Sequence, residues 1–276
     1  MTLAASPASS PLRVGVVGLG VIGREVCRAL DEGIDGLVLA GAVARDPDKA
    51  DAFLRSLSAK PPCLSIGELI AGAELLVEAS TQAHLREWAP RALEAGRTVM
   101  VLSCGALIGR DDWIELARAH GGRILVPSGA IGGLDAVKGA RVGRITAVTM
   151  ETRKPPAGLA GAPYLAANAI NVMAVTEPTL IFEGPATEAV AGFPANVNVV
   201  AALSLAGVGP ERTTIKIYAV PGLGRNSHRI TVEGEHGRVA IEIENVPSEN
   251  PRTGRLSYLS AIAMLRDLGA TLRVGT

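Results

Sequence analysis

The chain has 276 residues, 48% of them apolar, and its 27 basic and 27 acidic residues cancel at neutral pH. That length accommodates two domains, or one large one, around a sizeable core. The charge balance and an aromatic content of only 3% argue against nucleic acid or a membrane surface as the main partner, because both reward a basic excess and nucleic acid also rewards stacking rings.

The opening stretch, 1–11, is small and polar with no basic start. It reads as a disordered tail and not as a signal peptide. From Arg13 short apolar strands alternate with longer helical stretches. Strands are expected at 13–17, 37–44, 75–78, 98–102 and 123–126. Between them helices are expected from the glycine loop to Leu30, at 46–57, at 81–94 and at 111–120. Asp46-Pro47 has the form of an N-cap followed by proline at the first helical position. This alternation predicts an α/β fold with a Rossmann-type, doubly wound parallel sheet over 12–135.

After the glycine-rich junction Ser128-Gly-Ala-Ile-Gly-Gly-Leu-Asp135 the period changes to two. Strands are expected at 145–153, 213–220, 228–233 and 238–244, the last two joined by the hairpin turn Gly234-Glu-His-Gly237. A helix is expected at 194–205. Residues 136–254 therefore read as a second, α+β domain, the expected catalytic, substrate-binding and dimerisation part of the chain. The remainder, 255–276, reads as a helix over 256–268 and a strand over 272–274 that pack back on the first domain.

The three cysteines, Cys27, Cys63 and Cys104, are widely spaced and form no CxxC pair. They read as reduced thiols of a cytoplasmic protein, with neither a disulfide frame nor a metal site. No apolar run reaches the roughly 18 residues of a membrane span.

Gly18-Leu-Gly20-Val-Ile-Gly23 follows a strand and opens a helix. The first glycine allows the tight turn, the second lets backbone N–H groups approach a pyrophosphate, and the third lets helix and strand pack closely. A nicotinamide dinucleotide is the expected cofactor. At the tip of the second strand, where an acid would grip the ribose 2′-OH of NAD, the chain has Ala44 and then Arg45. Arginine there pairs with the 2′-phosphate of NADP, so NADP or dual use is expected.

Four histidines compete for the proton-transfer role. His120 suits the C-terminal dipole of its helix, His236 lies in the hairpin turn, and His84 opens a helix near the expected cofactor edge. His228 stands where the loop Gly224-Arg-Asn-Ser enters a strand of the second domain. Its residue type suits proton exchange as hydride moves, and capping the strand is the competing role. Arg153, Lys154, Lys216, Arg225 and Arg229 are available cations for an acidic substrate, with Ser80 and Thr81 near the ring edge.

The segments Gly18-x-Gly-x-x-Gly23, Val77-Glu-Ala79, Ser103-Cys-Gly-Ala-Leu107 and Pro127-Ser-Gly-Ala-Ile-Gly-Gly-Leu-Asp135 carry a resemblance. So do Phe193-Pro-Ala-Asn-Val-Asn198, Asn226-Ser-His228 and Glu244-Asn-Val-Pro-Ser-Glu-Asn-Pro251. In combination they are similar to the L-aspartate dehydrogenases over nearly the whole chain. The resemblance implies a homodimer and reversible NAD(P)-dependent oxidation of L-aspartate to iminosuccinate, which hydrolyses to oxaloacetate and ammonia or feeds pyridine nucleotide biosynthesis. It places the catalytic histidine at His228 and cofactor contacts at Ala130 and Asn196, beside Gly18, Gly20, Val21, Ile22 and Gly23. Asn196 carries both a donor and an acceptor, as a carboxamide requires. Cys104 and Gly254 depart from the family pattern, which commonly has an aliphatic residue and a serine there. Two other readings fit the same residues: an NAD(P)-dependent oxidoreductase for another oxo or imino acid, and a non-catalytic dinucleotide sensor.

Overall fold

The computed structural model describes residues 10–194, 198–245 and 254–275. They fall into two compact units. The first holds residues up to 101 together with 112–125 and 261–273, and the second holds 102–111, 126–260 and the residues from 274.

In the first unit the order is β1 (Leu12–Val17), α1 (Val21–Glu32), β2 (Leu37–Val43), α2 (Pro47–Arg55), α3 (Ile66–Gly72), β3 (Leu75–Glu78), α4 (Gln82–Glu94), β4 (Thr98–Val101), α5 (Asp111–His120) and β5 (Arg123–Leu125). All strand pairs are parallel, in the order β2-β1-β3-β4-β5. Val14, Val16 and Val17 of β1 and all of β3 are buried. Such strands run nearly continuously apolar because both faces of a parallel sheet are covered, with Glu78 at the end of β3 the buried exception. Helix α4 buries Leu85, Trp88, Ala89, Ala92 and Leu93 on one stripe; each large side chain contributes about 1.5–3 kcal/mol. The strand order reverses direction between β1 and β3, since the chain adds β2 on one side of β1 and then crosses to the other. Such a switch point opens a crevice beyond the C-terminal strand ends.

The second unit continues with α6 (Leu134–Val142), β6 (Ile145–Lys154), α7 (Pro163–Ala167), β7 (Thr179–Pro185), α8 (Ala186–Gly192), α9 (Asn198–Ala206), β8 (Thr213–Ala219), β9 (Ser227–Gly234) and β10 (Gly237–Glu244). Its mixed sheet has the order β10-β9-β6-β8-β7, with β6 and β8 parallel and the other neighbours antiparallel. Burial alternates along β8 and β9. One face holds Ile215, Ile217, Ile230 and Val232, all buried. Beside this sheet Tyr164, Phe182 and Phe193 form an aromatic cluster with ring centroids 5.2–5.7 Å apart.

The final helix, α10 (Arg255–Gly269), belongs to the second unit up to residue 260 and to the first from 261. Ala261 and Leu265 are its buried residues. The strand expected at 272–274 is absent. Leu272 and Val274 are 79% and 87% exposed and pair with no strand, so neither burial nor a hydrogen-bonded ladder stabilises an extended segment there. The expected tail falls almost wholly on 1–9, outside the described residues. The helix expected at 194–205 begins at Asn198 among the described residues.

Candidate active site

The glycine loop joins β1 to α1. Gly18 has φ +101°, and a Cβ on it would lie 2.5 Å from the Ala79 carbonyl oxygen. A Cβ on Gly23 would run into the carbonyl oxygen of Gly18. Both positions therefore require glycine, one for the turn and one for the helix–loop approach. Gly20 caps α1 with backbone alone, and nothing lies within 4 Å of where its Cβ would be. The amides of Val21, Ile22 and Gly23 open the helix towards that space, the arrangement that binds anionic phosphate. Arg24 Nε donates to the Leu19 carbonyl at 3.1 Å and pins the loop. These features fit a dinucleotide pyrophosphate.

Arg45 is exposed just beyond β2. The neighbouring acid is engaged elsewhere. Asp46 is the N-cap of α2, accepting from the Lys49 amide at 3.2 Å and pairing with Lys49 Nζ at 3.0 Å. The Lys49 hydrogen bonds hold its carboxyl below the usual range.

In the second unit His228 sits on the buried face of β9, opposite Thr152 of β6 in the antiparallel register. His228 is 5% exposed and Thr152 4%. His228 Nδ1 lies 3.1 Å from Thr152 Oγ1. Lys154 is two residues further along β6, on the same face, and 8% exposed. Burial pushes the Lys154 ammonium down to about 8. Burial, and secondly the charge of Lys154, pushes His228 down to about 4. The imidazole is therefore neutral near pH 7 and keeps a lone pair for accepting a proton. A small cavity beside Lys154 is walled by Leu159, Ala189, Phe193, Val200 and Ile217.

The other cations named from sequence are placed differently. Arg153 points to the opposite face of β6, 5.5 Å over the Tyr218 ring and 3.7 Å from Glu151. Lys216 pairs with Glu183 at 3.0 Å. Arg225 and Arg229 are exposed. Thr81 caps α4, and Ser80 bonds Glu78. His120 and His236 are exposed, at a helix end and in the hairpin turn respectively.

Ala130 and His228 belong to the same unit and are linked through Asn245. That side chain is buried; its Nδ2 donates to the Ala130 carbonyl at 3.0 Å. Its backbone amide donates to the carbonyl of Asn226, two residues before His228, at 3.0 Å. Gly129 N, next to Ala130, donates to Ser260 Oγ at 3.0 Å. Asn196 lies outside the described residues. Thr152 and Asn245 were not singled out by sequence. The signal for Thr152 was its parity with Lys154 on an alternating strand.

Comparison with known proteins also distinguishes two parts of the chain. The family described as aspartate dehydrogenase, C-terminal, matches residues 135–268, and that described as homoserine dehydrogenase, NAD binding domain, matches 18–127. The chain is 50% identical to an L-aspartate dehydrogenase of Bradyrhizobium diazoefficiens over 98% of its length and 96% of that protein. It is 46% identical to one from Methanocella arvoryzae, covering 96% and 99%. Its fold is similar to the crystal structure of an aspartate dehydrogenase from Thermotoga maritima, with a TM-score of 0.70 at 23% identity, covering 96% and 99%.

Proposed function

The chain belongs to the L-aspartate dehydrogenase family, and on that premise we propose that it catalyses the reversible NAD(P)-dependent oxidation of L-aspartate to iminosuccinate, with His228 as the proton-transfer group. The observation that carries this reading is the buried Thr152–His228 pair with Lys154 on the same sheet face.

The dinucleotide, when bound, supplies the hydride acceptor for oxidation and the donor for reductive amination. Gly18, Gly20, Val21, Ile22 and Gly23 hold its phosphates, and Ala130 and Asn196 are assigned to it by family resemblance. Arg45 is assigned to the 2′-phosphate. The engagement of Asp46 with Lys49 favours NADP over NAD, because the acid nearest the strand tip is committed to capping α2.

The α-ammonium of aspartate must lose a proton before hydride can leave the α-carbon. His228 takes that proton on Nε2, while Nδ1–H donates to Thr152 Oγ1 and fixes the tautomer. In the reverse direction the same nitrogen returns the proton to the amine. Among the five cations, Lys154 is assigned to a substrate carboxylate, since a desolvated ammonium binds an anion more strongly than an exposed one. The family resemblance supports a homodimer. A balanced charge and cysteines without a disulfide support a cytoplasmic setting with no nucleic-acid or membrane partner.

The test is NADPH and NADH oxidation with oxaloacetate plus ammonium, against a panel of other oxo acids. Turnover with oxaloacetate that disappears in His228→Ala is expected. Tight dinucleotide binding with no turnover on any acid would make the protein a sensor instead.

A further inference from the structure

Glu78 ends β3 and is fully buried, in register with Val17 immediately before the glycine loop. Its Oε1 accepts the Ser80 amide at 2.7 Å and lies 3.1 Å from Ser80 Oγ. Ser80 Oγ is in turn 3.3 Å from Nδ1 of His84, in the first turn of α4. The chain Glu78–Ser80–His84 borders the loop directly: a Cβ on Gly18 would be 3.1 Å from Ser80 Cβ. The catalytic scheme uses none of these three side chains.

Hydrogen-bond bookkeeping fixes the direction of this chain. A carboxylate oxygen only accepts, so Ser80 Oγ–H donates to Glu78. If it donated to His84 instead, two lone pairs would face each other at 3.1 Å. Having spent its proton, Ser80 Oγ accepts from His84 Nδ1–H. In the neutral ring the proton is then on Nδ1, and Nε2 carries a lone pair. His84 thus presents an acceptor. An acceptor suits a hydroxyl and repels a phosphate oxygen.

Topology says which hydroxyl. The pyrophosphate loop is at β1, and Arg45, assigned to the adenosine ribose, follows β2. His84 follows β3, on the other side of β1. We propose that His84, oriented by Ser80 and Glu78, accepts a hydrogen bond from a hydroxyl of the second ribose of the dinucleotide, the one on the nicotinamide side. The proposal rests on the dinucleotide reading of the glycine loop.

Two probes separate the proposal from that reading. ADP-ribose contains the second ribose; ADP ends at the phosphates. Their dissociation constants, and that of NADPH, are measured by titration calorimetry on the wild type, His84→Ala and Ser80→Ala. The α4 cap is the Thr81 hydroxyl on the His84 backbone amide, so truncating the His84 side chain leaves the cap in place. His84→Ala is expected to weaken ADP-ribose and NADPH about fivefold, the size of one neutral hydrogen bond, with ADP unchanged. Ser80→Ala, which keeps the imidazole but frees it to rotate, is expected to shift the same way by less, and it carries the test if His84→Ala does not fold. Unchanged ADP-ribose binding overturns the proposal. So does an equal loss for ADP, which would place His84 on the phosphates. Failure of every nucleotide to bind the wild type would overturn the dinucleotide reading itself.

Discussion

Thr152 of β6 and His228 of β9 face each other across an antiparallel pair, with Oγ1 3.1 Å from Nδ1 and both side chains buried. The contact spans 76 residues of sequence, so the sheet register, and not a local turn, sets the angle of the imidazole.

Removing the Thr152 hydroxyl should release that angle. Thr152→Val retains the shape but leaves Nδ1 without this partner in a buried setting, a loss of about 1–3 kcal/mol. The expected result is a kcat lower by roughly tenfold and a small change in KM, with Thr152→Ser restoring most of the rate. His228→Ala should lower kcat by about 10²–10⁴-fold, the range for loss of a positioned acid–base group. Steady-state kinetics in both directions check both. Full activity in His228→Ala would remove it from the mechanism.

Lys154 offers a cleaner separation of binding from chemistry. Lys154→Met keeps the apolar stem that lines the small cavity with Leu159 and Phe193 and deletes the charge. If the ammonium holds a substrate carboxylate, KM for oxaloacetate should rise on the order of tenfold to a hundredfold. The dissociation constant for NADPH should stay the same. An unchanged KM would rule out the anchoring role.

The depressed pKa of His228 has a consequence for stability. Burial, with the nearby charge of Lys154, holds it at about 4 in the folded chain, against 6.5 for a free imidazole. The unfolded chain therefore binds the extra proton between those values, and stability falls as pH drops from about 6.5 towards 4. Across that window this single group accounts for about 3 kcal/mol at most. Urea unfolding at pH 7 and pH 5 should show a smaller acid loss in His228→Gln than in the wild type. An equal loss in both would mean that the ring is not neutral when folded.

The first unit was largely legible because its signals are local. The loop from Gly18 to Gly23, the Asp46-Pro47 start of α2 and the bounds of β3 and α5 all lie within short windows, and the structure has them where the pattern puts them. Five elements escaped, among them the short helices α7 and α8, which span too little chain to show a period. Helix α3 has a full Ser65–Glu68 capping box, but its seven residues are too few to establish a period. Helix α6 begins after Gly133, at φ +74°, inside a glycine-rich run that reads as loop. Strand β7 ends in Gly184 and Pro185, breakers that an edge strand tolerates. At the candidate site, the glycine loop and His228 stand out by residue type. The partners were not. Thr152 and Asn245 act through contacts spanning 76 and 115 residues, and only folding reveals such pairs.

Cofactor preference turns on the tip of β2. Arg45 is exposed, and the next residue is committed to Lys49 and the start of α2. An arginine that meets the 2′-phosphate should bind only the phosphorylated cofactor more tightly. Arg45→Ala should therefore raise KM for NADPH on the order of tenfold, the size of one charge-assisted contact, and leave KM for NADH unchanged. The reciprocal change, Ala44→Asp, brings an acid to the strand tip, where it accepts from a ribose 2′-OH and repels a 2′-phosphate. It should move preference towards NADH without disturbing α2, because the cap remains Asp46. A wild-type KM for NADPH far above that for NADH, unmoved by Arg45→Ala, would show that Arg45 is only a solvated surface charge.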